Sequence, residues 1–163
     1  MANLKASPTR LRLRSLGFWA ALLAASVTLA APVAYGFDSS SSQGAPDLSS
    51  VKAKLKAKNY QAALSELRLV VQTYDNADVH NLMGFALRKT GDLNTAATHY
   101  RKALSMDPNH KGALEYQGEL FVQTGQMDQA RENLARLVRL CPSGCEELTD
   151  LREAIDTASK RRS

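Results

Sequence analysis

Gly84 and Gly118 stand 34 residues apart, and so do Gly91 and Gly125, Ala96 and Ala130, and Pro108 and Pro142. A chain that returns to small and helix-ending residues at one fixed period is constrained to stack copies of a single unit. Within each unit the apolar residues fall at helical spacing. Val79, Leu82, Met83, Ala86 and Leu87 follow i, i+3, i+4, i+7, i+8, and Ala113, Tyr116, Gln117, Leu120 and Phe121 repeat the pattern with one polar substitution. The second stripe of the unit is Leu93, Ala96, Ala97, Tyr100, Ala103 and Leu104, followed by Met127, Ala130, Leu134, Leu137 and Val138. These are helix periods, and from residue 47 onward no strand-like alternation occurs.

An earlier, weaker copy precedes these two. Tyr60, Ala63, Leu64, Leu67, Val70 and Val71 match the Leu93 stripe at an offset of 33, and Leu48, Val51 and Leu55 match His80, Met83 and Leu87 at an offset of 32. The difference falls in the turn, where this copy has no glycine matching Gly91, and Asp75 stands where Pro108 and Pro142 stand later. The last segment, Glu146 to Ser159, has a single apolar stripe of Leu148, Leu151, Ile155 and Ala158. Acids crowd its start and Lys160 to Arg162 follow its end, as the helix dipole favours. It reads as a helix that covers the open end of an array.

Residues 77–110, with Gly84, Leu87, Gly91, Ala96, Tyr100, Ala103 and Pro108, resemble a tetratricopeptide repeat. Residues 111–144, with Gly118, Phe121, Gly125, Ala130 and Pro142, resemble a second copy, and residues 47–76 a diverged one. His80 and Leu114 depart from the pattern, which favours tryptophan there. The resemblance implies an all-α fold: a short right-handed α-solenoid of three helix–turn–helix units with a capping helix at 145–159. It also implies small residues where paired helices touch. Gly91 and Gly125 are expected to end their helices in the left-handed conformation, and Pro108 and Pro142 to stop the second helices.

Residues 1–14 carry Lys5, Arg10, Arg12 and Arg14, and Ser15 to Phe37 carry no charge. An apolar run from Leu16 through Ala31 leads into small residues around Ala34 and Gly36. This is the order of a Sec-type signal peptide over 1–36. The uncharged run is also long enough for an uncleaved anchor, in which case membrane contact follows. Both alternatives export the rest, so the expected location is periplasmic or secreted, in a bacterium. Residues 37–46 read as a flexible polar linker, and 160–163 as a basic tail. The net charge of +5 falls to +1 without residues 1–36, which argues against a nucleic-acid partner.

The only cysteines, Cys141 and Cys145, flank the turn before the last helix. In an oxidising compartment the expected state is a local disulfide staple. Thiol-redox or copper-handling chemistry and an inert reduced pair are the alternatives. His80, His99 and His110 form no metal-ligand pattern, and His80 falls at a packing position. No GxSxG, P-loop or GxGxxG sequence occurs. The expectation is a non-enzyme with no metal and no cofactor.

The face left for function is the inner face of the first helices. Off the packing stripe it presents Asn81, Phe85, Arg88 and Lys89, then Glu115, Tyr116 and Glu119, with Ser49, Ala53 and Lys56 in the first copy. Phe85 stands out as an aromatic whose repeat equivalent is Glu119. It serves either peptide capture or packing against Lys89 and a neighbouring helix. Some members of the resembled family hold a C-terminal carboxylate in a polar clamp. Leu82, Gly112 and Tyr116 occupy those positions here, so that mode is not expected. The function expected is protein or peptide binding as an adaptor. Self-assembly through the convex face is a further alternative.

Overall fold

A computed structural model describes residues 45–161. The expected signal peptide or anchor at 1–36, most of the linker at 37–46 and the end of the tail at 160–163 lie outside the described residues. No helix among the described residues is long and apolar enough to cross a membrane.

The described chain is all-α. Its helices are α1 (Ser49–Lys56), α2 (Tyr60–Thr73), α3 (Ala77–Lys89), α4 (Leu93–Met106), α5 (Lys111–Gln123), α6 (Met127–Leu140) and α7 (Glu146–Lys160). They pair as α1/α2, α3/α4 and α5/α6, each pair stacks on the next, and α7 packs on α5 and α6. Side chains that can satisfy free amides start most of them. Asn59, Asn76 and Asp92 accept from the amides of Ala62, Val79 and Thr95, and His110 Nδ1 accepts from Ala113.

The turns within each pair use a left-handed residue. Gly91 and Gly125 have φ of +91° and +79°, as the glycine spacing predicts. The diverged copy makes the same turn with Lys58 at φ 59°, so the missing glycine changes the residue and not the geometry. The apolar stripes meet in two cores. One joins Val51, Leu64, Leu67, Val79, Ala96 and Tyr100, and the other joins Leu114, Ala130, Leu137, Leu151 and Ile155.

The two repeat-equivalent glycines receive different partners. A Cβ on Gly84 would stand 2.6 Å from Tyr100 Cε1, on the paired helix α4. A Cβ on Gly118 would stand 2.5 Å from Leu151 Cδ2, on α7. The close approach at Gly118 thus seats the capping helix. A polar tie holds α6: buried Asn133 Nδ2 donates to Gln117 Oε1 at 3.0 Å and to the Leu114 carbonyl at 3.1 Å.

Cys141 and Cys145 are bridged, with Cα atoms 5.8 Å apart. Cys141 ends α6 and is buried, Cys145 precedes α7, and Gly144 at φ +90° makes the turn between them.

Candidate peptide-binding groove

The first helix of each pair and α7 line one side of the stack. Helical spacing puts Leu82 and Phe85 of α3 beside Tyr116 of α5. With Lys52, Leu55 and Lys56 of α1 they enclose a cleft of about 310 Å³. Phe85 is half-buried between two tyrosines. Its ring centroid is 4.7 Å from that of Tyr116 and 6.2 Å from that of Tyr60, the latter edge-on. The Lys89 ammonium sits 5.3 Å from the Phe85 centroid, and the Arg88 guanidinium carbon 5.8 Å from Phe85 and 5.9 Å from Tyr116. Phe85 packs against Lys89 and its aromatic neighbours and also walls an apolar cleft.

Arg88 is buried and pairs with Glu119 across α3 and α5. Its Nε and the hydroxyl of fully buried Tyr100 have no hydrogen-bond partner. Burial pushes the Tyr100 phenol well up, opposed by Arg88. Arg88 and Glu119 thus act as a strut under the aromatic floor. Of the other expected groove residues, Lys89 is exposed, Tyr116 is half-buried, and Ser49, Ala53 and Lys56 are exposed on α1.

Asn81 and Glu115 sit deeper than the helical pattern alone suggests, at 6% exposure each. Both line a second cleft of about 180 Å³, together with Leu82, Gly112, Tyr116 and the α7 residues Glu146, Glu147 and Asp150. Asn81 Oδ1 accepts no hydrogen bond. Burial pushes the Glu115 carboxyl up to about 8, reinforced by Glu119, Asp150 and Glu147 and opposed by Arg88. Burial, with Glu115 and Glu119 adding to it, lifts the Tyr116 phenol to about 12. Another opening, of about 520 Å³ between α5 and α7, is lined by Glu119, Asp150 and Glu153 among others. The face therefore runs from lysines on α1, through an aromatic middle, to carboxylates on α5 and α7.

Sequence reasoning missed a histidine cluster on another side. Buried His80 places Nε2 2.6 Å from Asp75 Oδ1 and Nδ1 2.8 Å from His99 Nδ1. Burial and the nearby His80 hold the His99 imidazole below its usual value. Among the described residues no group of His, Cys, Asp and Glu is arranged to hold a metal ion.

Residues 81–144 match the family model described as tetratricopeptide repeat. Those residues span the pairs α3/α4 and α5/α6, and this part of the chain is similar to tetratricopeptide repeats. Such repeats are generally non-catalytic modules that bind proteins or peptides. The "Probable biofilm formation methyltransferase WspC" of Pseudomonas putida is 33% identical over 101 residues, which is 61% of this chain. The matched stretch spans 24% of that relative's own length.

Proposed function

We propose that this chain is a non-catalytic adaptor of the cell envelope that holds a protein or peptide in the groove formed by α1, α3, α5 and α7. The cleft walled by Leu82, Phe85 and Tyr116 carries this reading. It joins a preformed apolar pocket to charged edges, the combination that anchors a peptide side chain and fixes its orientation. A preformed face also lowers the ordering cost of binding.

The charged, apolar and small-residue order of residues 1–36 supports an envelope location. So does the bridged pair Cys141–Cys145, a state that persists in oxidising compartments. The bridge spans the joint between α6 and α7 with Cys141 buried, which favours a staple over redox or copper handling. The non-catalytic reading rests on the repeats and on the lack of any recognisable catalytic motif in the sequence.

The test is cross-linking in envelope extracts, with mass spectrometry of what co-purifies with the full chain and with a Phe85→Ala, Lys56→Glu variant. Partners held by the groove are lost from the variant while its helicity is unchanged. Equal recovery from both proteins rejects the groove. Glu119 is left intact, because it is the ion-pair partner of buried Arg88.

A further inference from the structure

The second cleft, between α3, α5 and α7, holds a buried polar group that lacks a partner. Asn81 is 6% exposed and its Oδ1 accepts no hydrogen bond. A buried acceptor left empty is destabilising. Glu115, on the equivalent position one repeat later, is as buried. Glu146, Glu147 and Asp150 of α7 add negative charge at the mouth. Asn81 Oδ1 lacks a donor and the acids at the mouth carry negative charge, so a cationic donor complements the cleft.

Three observations specify the donor. No three His, Cys, Asp or Glu side chains among the described residues are grouped to hold a metal ion. Gly112 leaves room at the wall, since a Cβ there would stand 3.1 Å from Asn81 Nδ2. Leu82 and Tyr116 line both this cleft and the aromatic one, so the two clefts are neighbours on one track. A guanidinium offers five N–H donors in a plane, which suits scattered carboxylates and an amide oxygen better than a point charge does.

Resting on the adaptor reading, we propose that the groove selects a partner segment carrying an arginine beside an apolar side chain: the apolar group enters the Leu82–Phe85–Tyr116 cleft and the arginine enters the Asn81–Glu115–Asp150 cleft. The arginine supplies a donor to Asn81 Oδ1 and a counter-charge to Glu115. Lys52 and Lys56 at the other end of the track set the direction, by favouring acidic residues on the far side of the apolar anchor. Unliganded, the Glu115 carboxyl holds its proton up to about pH 8, because of burial and because Glu119, Glu147 and Asp150 outweigh Arg88 around it. Seating the arginine releases that proton, so affinity rises with pH through this range.

The experiment selects peptides from a random phage library on the full chain. The consensus is synthesised, and its binding is measured by fluorescence anisotropy to wild type, to Phe85→Ala and to a Glu115→Gln, Asp150→Asn variant, each checked by circular dichroism. Lys56→Glu, at an exposed residue, replaces Phe85→Ala if that variant unfolds. The expected consensus pairs an apolar residue with an arginine. Changing that arginine to citrulline weakens binding to wild type about tenfold, and to the doubly neutralised variant by no more than about twofold. Peptides that need Phe85 but carry no arginine, or whose citrulline form loses equally on both proteins, overturn the arginine assignment and leave the groove standing. A failure to select any peptide, or binding indifferent to both Phe85→Ala and Lys56→Glu, overturns the groove and the arginine assignment together.

Discussion

Changing Gly84 to alanine sets two effects of opposite sign against each other. In a helix interior the change removes backbone freedom from the unfolded chain and stabilises by about 1 kcal/mol. Against this, the new Cβ would lie 2.6 Å, 2.7 Å and 3.0 Å from three ring carbons of Tyr100. Non-bonded carbons rest at about 3.5–4.0 Å, so the ring must retreat by roughly 1 Å or α3 must lift off α4 by as much. Tyr100 is fully buried, and an aromatic ring cannot bend aside as a chain end can. Overpacking of this kind costs about 1–3 kcal/mol. The expected net effect is destabilisation by about 1–2 kcal/mol, the clash outweighing the propensity gain. Urea unfolding followed by far-ultraviolet circular dichroism measures it. Combining Gly84→Ala with Tyr100→Leu should recover part of the loss, as a coupling between touching residues. Gly112→Ala is the control: its nearest neighbour would be Asn81 Nδ2 at 3.1 Å, with His110 atoms beyond 3.5 Å, and the expected change is within about 0.5 kcal/mol. A Gly84→Ala variant more stable than wild type would show that the helices do not meet as closely as described, and the packing argument would fail.

Glu115→Gln tests the buried carboxyl. The folded chain keeps a proton up to about pH 8 that the unfolded chain releases near 4.5. The contribution of Glu115 to wild-type stability is therefore fully present below about pH 4.5 and is lost as pH rises through 8, whereas the glutamine variant lacks this slope. Above pH 8 the variant gains on the order of 2 kcal/mol relative to wild type, after discounting for water in an open cleft; parallel pH profiles would refute the assignment. His99 works in the opposite sense, because its pKa is lowered: stability falls as pH drops below about 6.5, and His99→Gln should flatten that limb in thermal melts taken across the range. Removing both Cys141 and Cys145 as serines should lower stability by about 2 kcal/mol at most, with faster amide exchange confined to α7; exchange unchanged there would reject the staple. Lys58→Gly relieves a side chain held at φ 59° and is expected to stabilise by about 0.5–1 kcal/mol in the same urea assay.

The helix pairs were legible because a helix that packs on one side must repeat its apolar residues at a fixed spacing, and small residues must recur wherever the same contact recurs. Val79, Met83, Leu87 and their successors carry that signal without help from distant parts of the chain. The left-handed turn at Lys58 was not legible, since no residue type marks a strained conformation that the surrounding fold imposes. Nor was the partner of Gly118: repeat arithmetic points to α6, but at the end of the array α7 lies close enough for Leu151 to take the space. His80, His99 and Asp75 are brought together by α3 crossing α4, a contact with no local pattern. The groove was legible as a face but not in depth. Helical spacing puts Asn81 and Glu115 on the inner side, while the degree of burial depends on how closely the neighbouring helix approaches. That depth is what gives the two residues meaning. They occupy one structural position in successive repeats, and an apolar residue there would satisfy the fold at less cost than an orphaned amide oxygen or a carboxyl forced to keep its proton. A scaffold optimised for stability alone has no reason to carry either group, so their presence on one wall of one cleft is better explained by a ligand that completes them than by the packing they disturb.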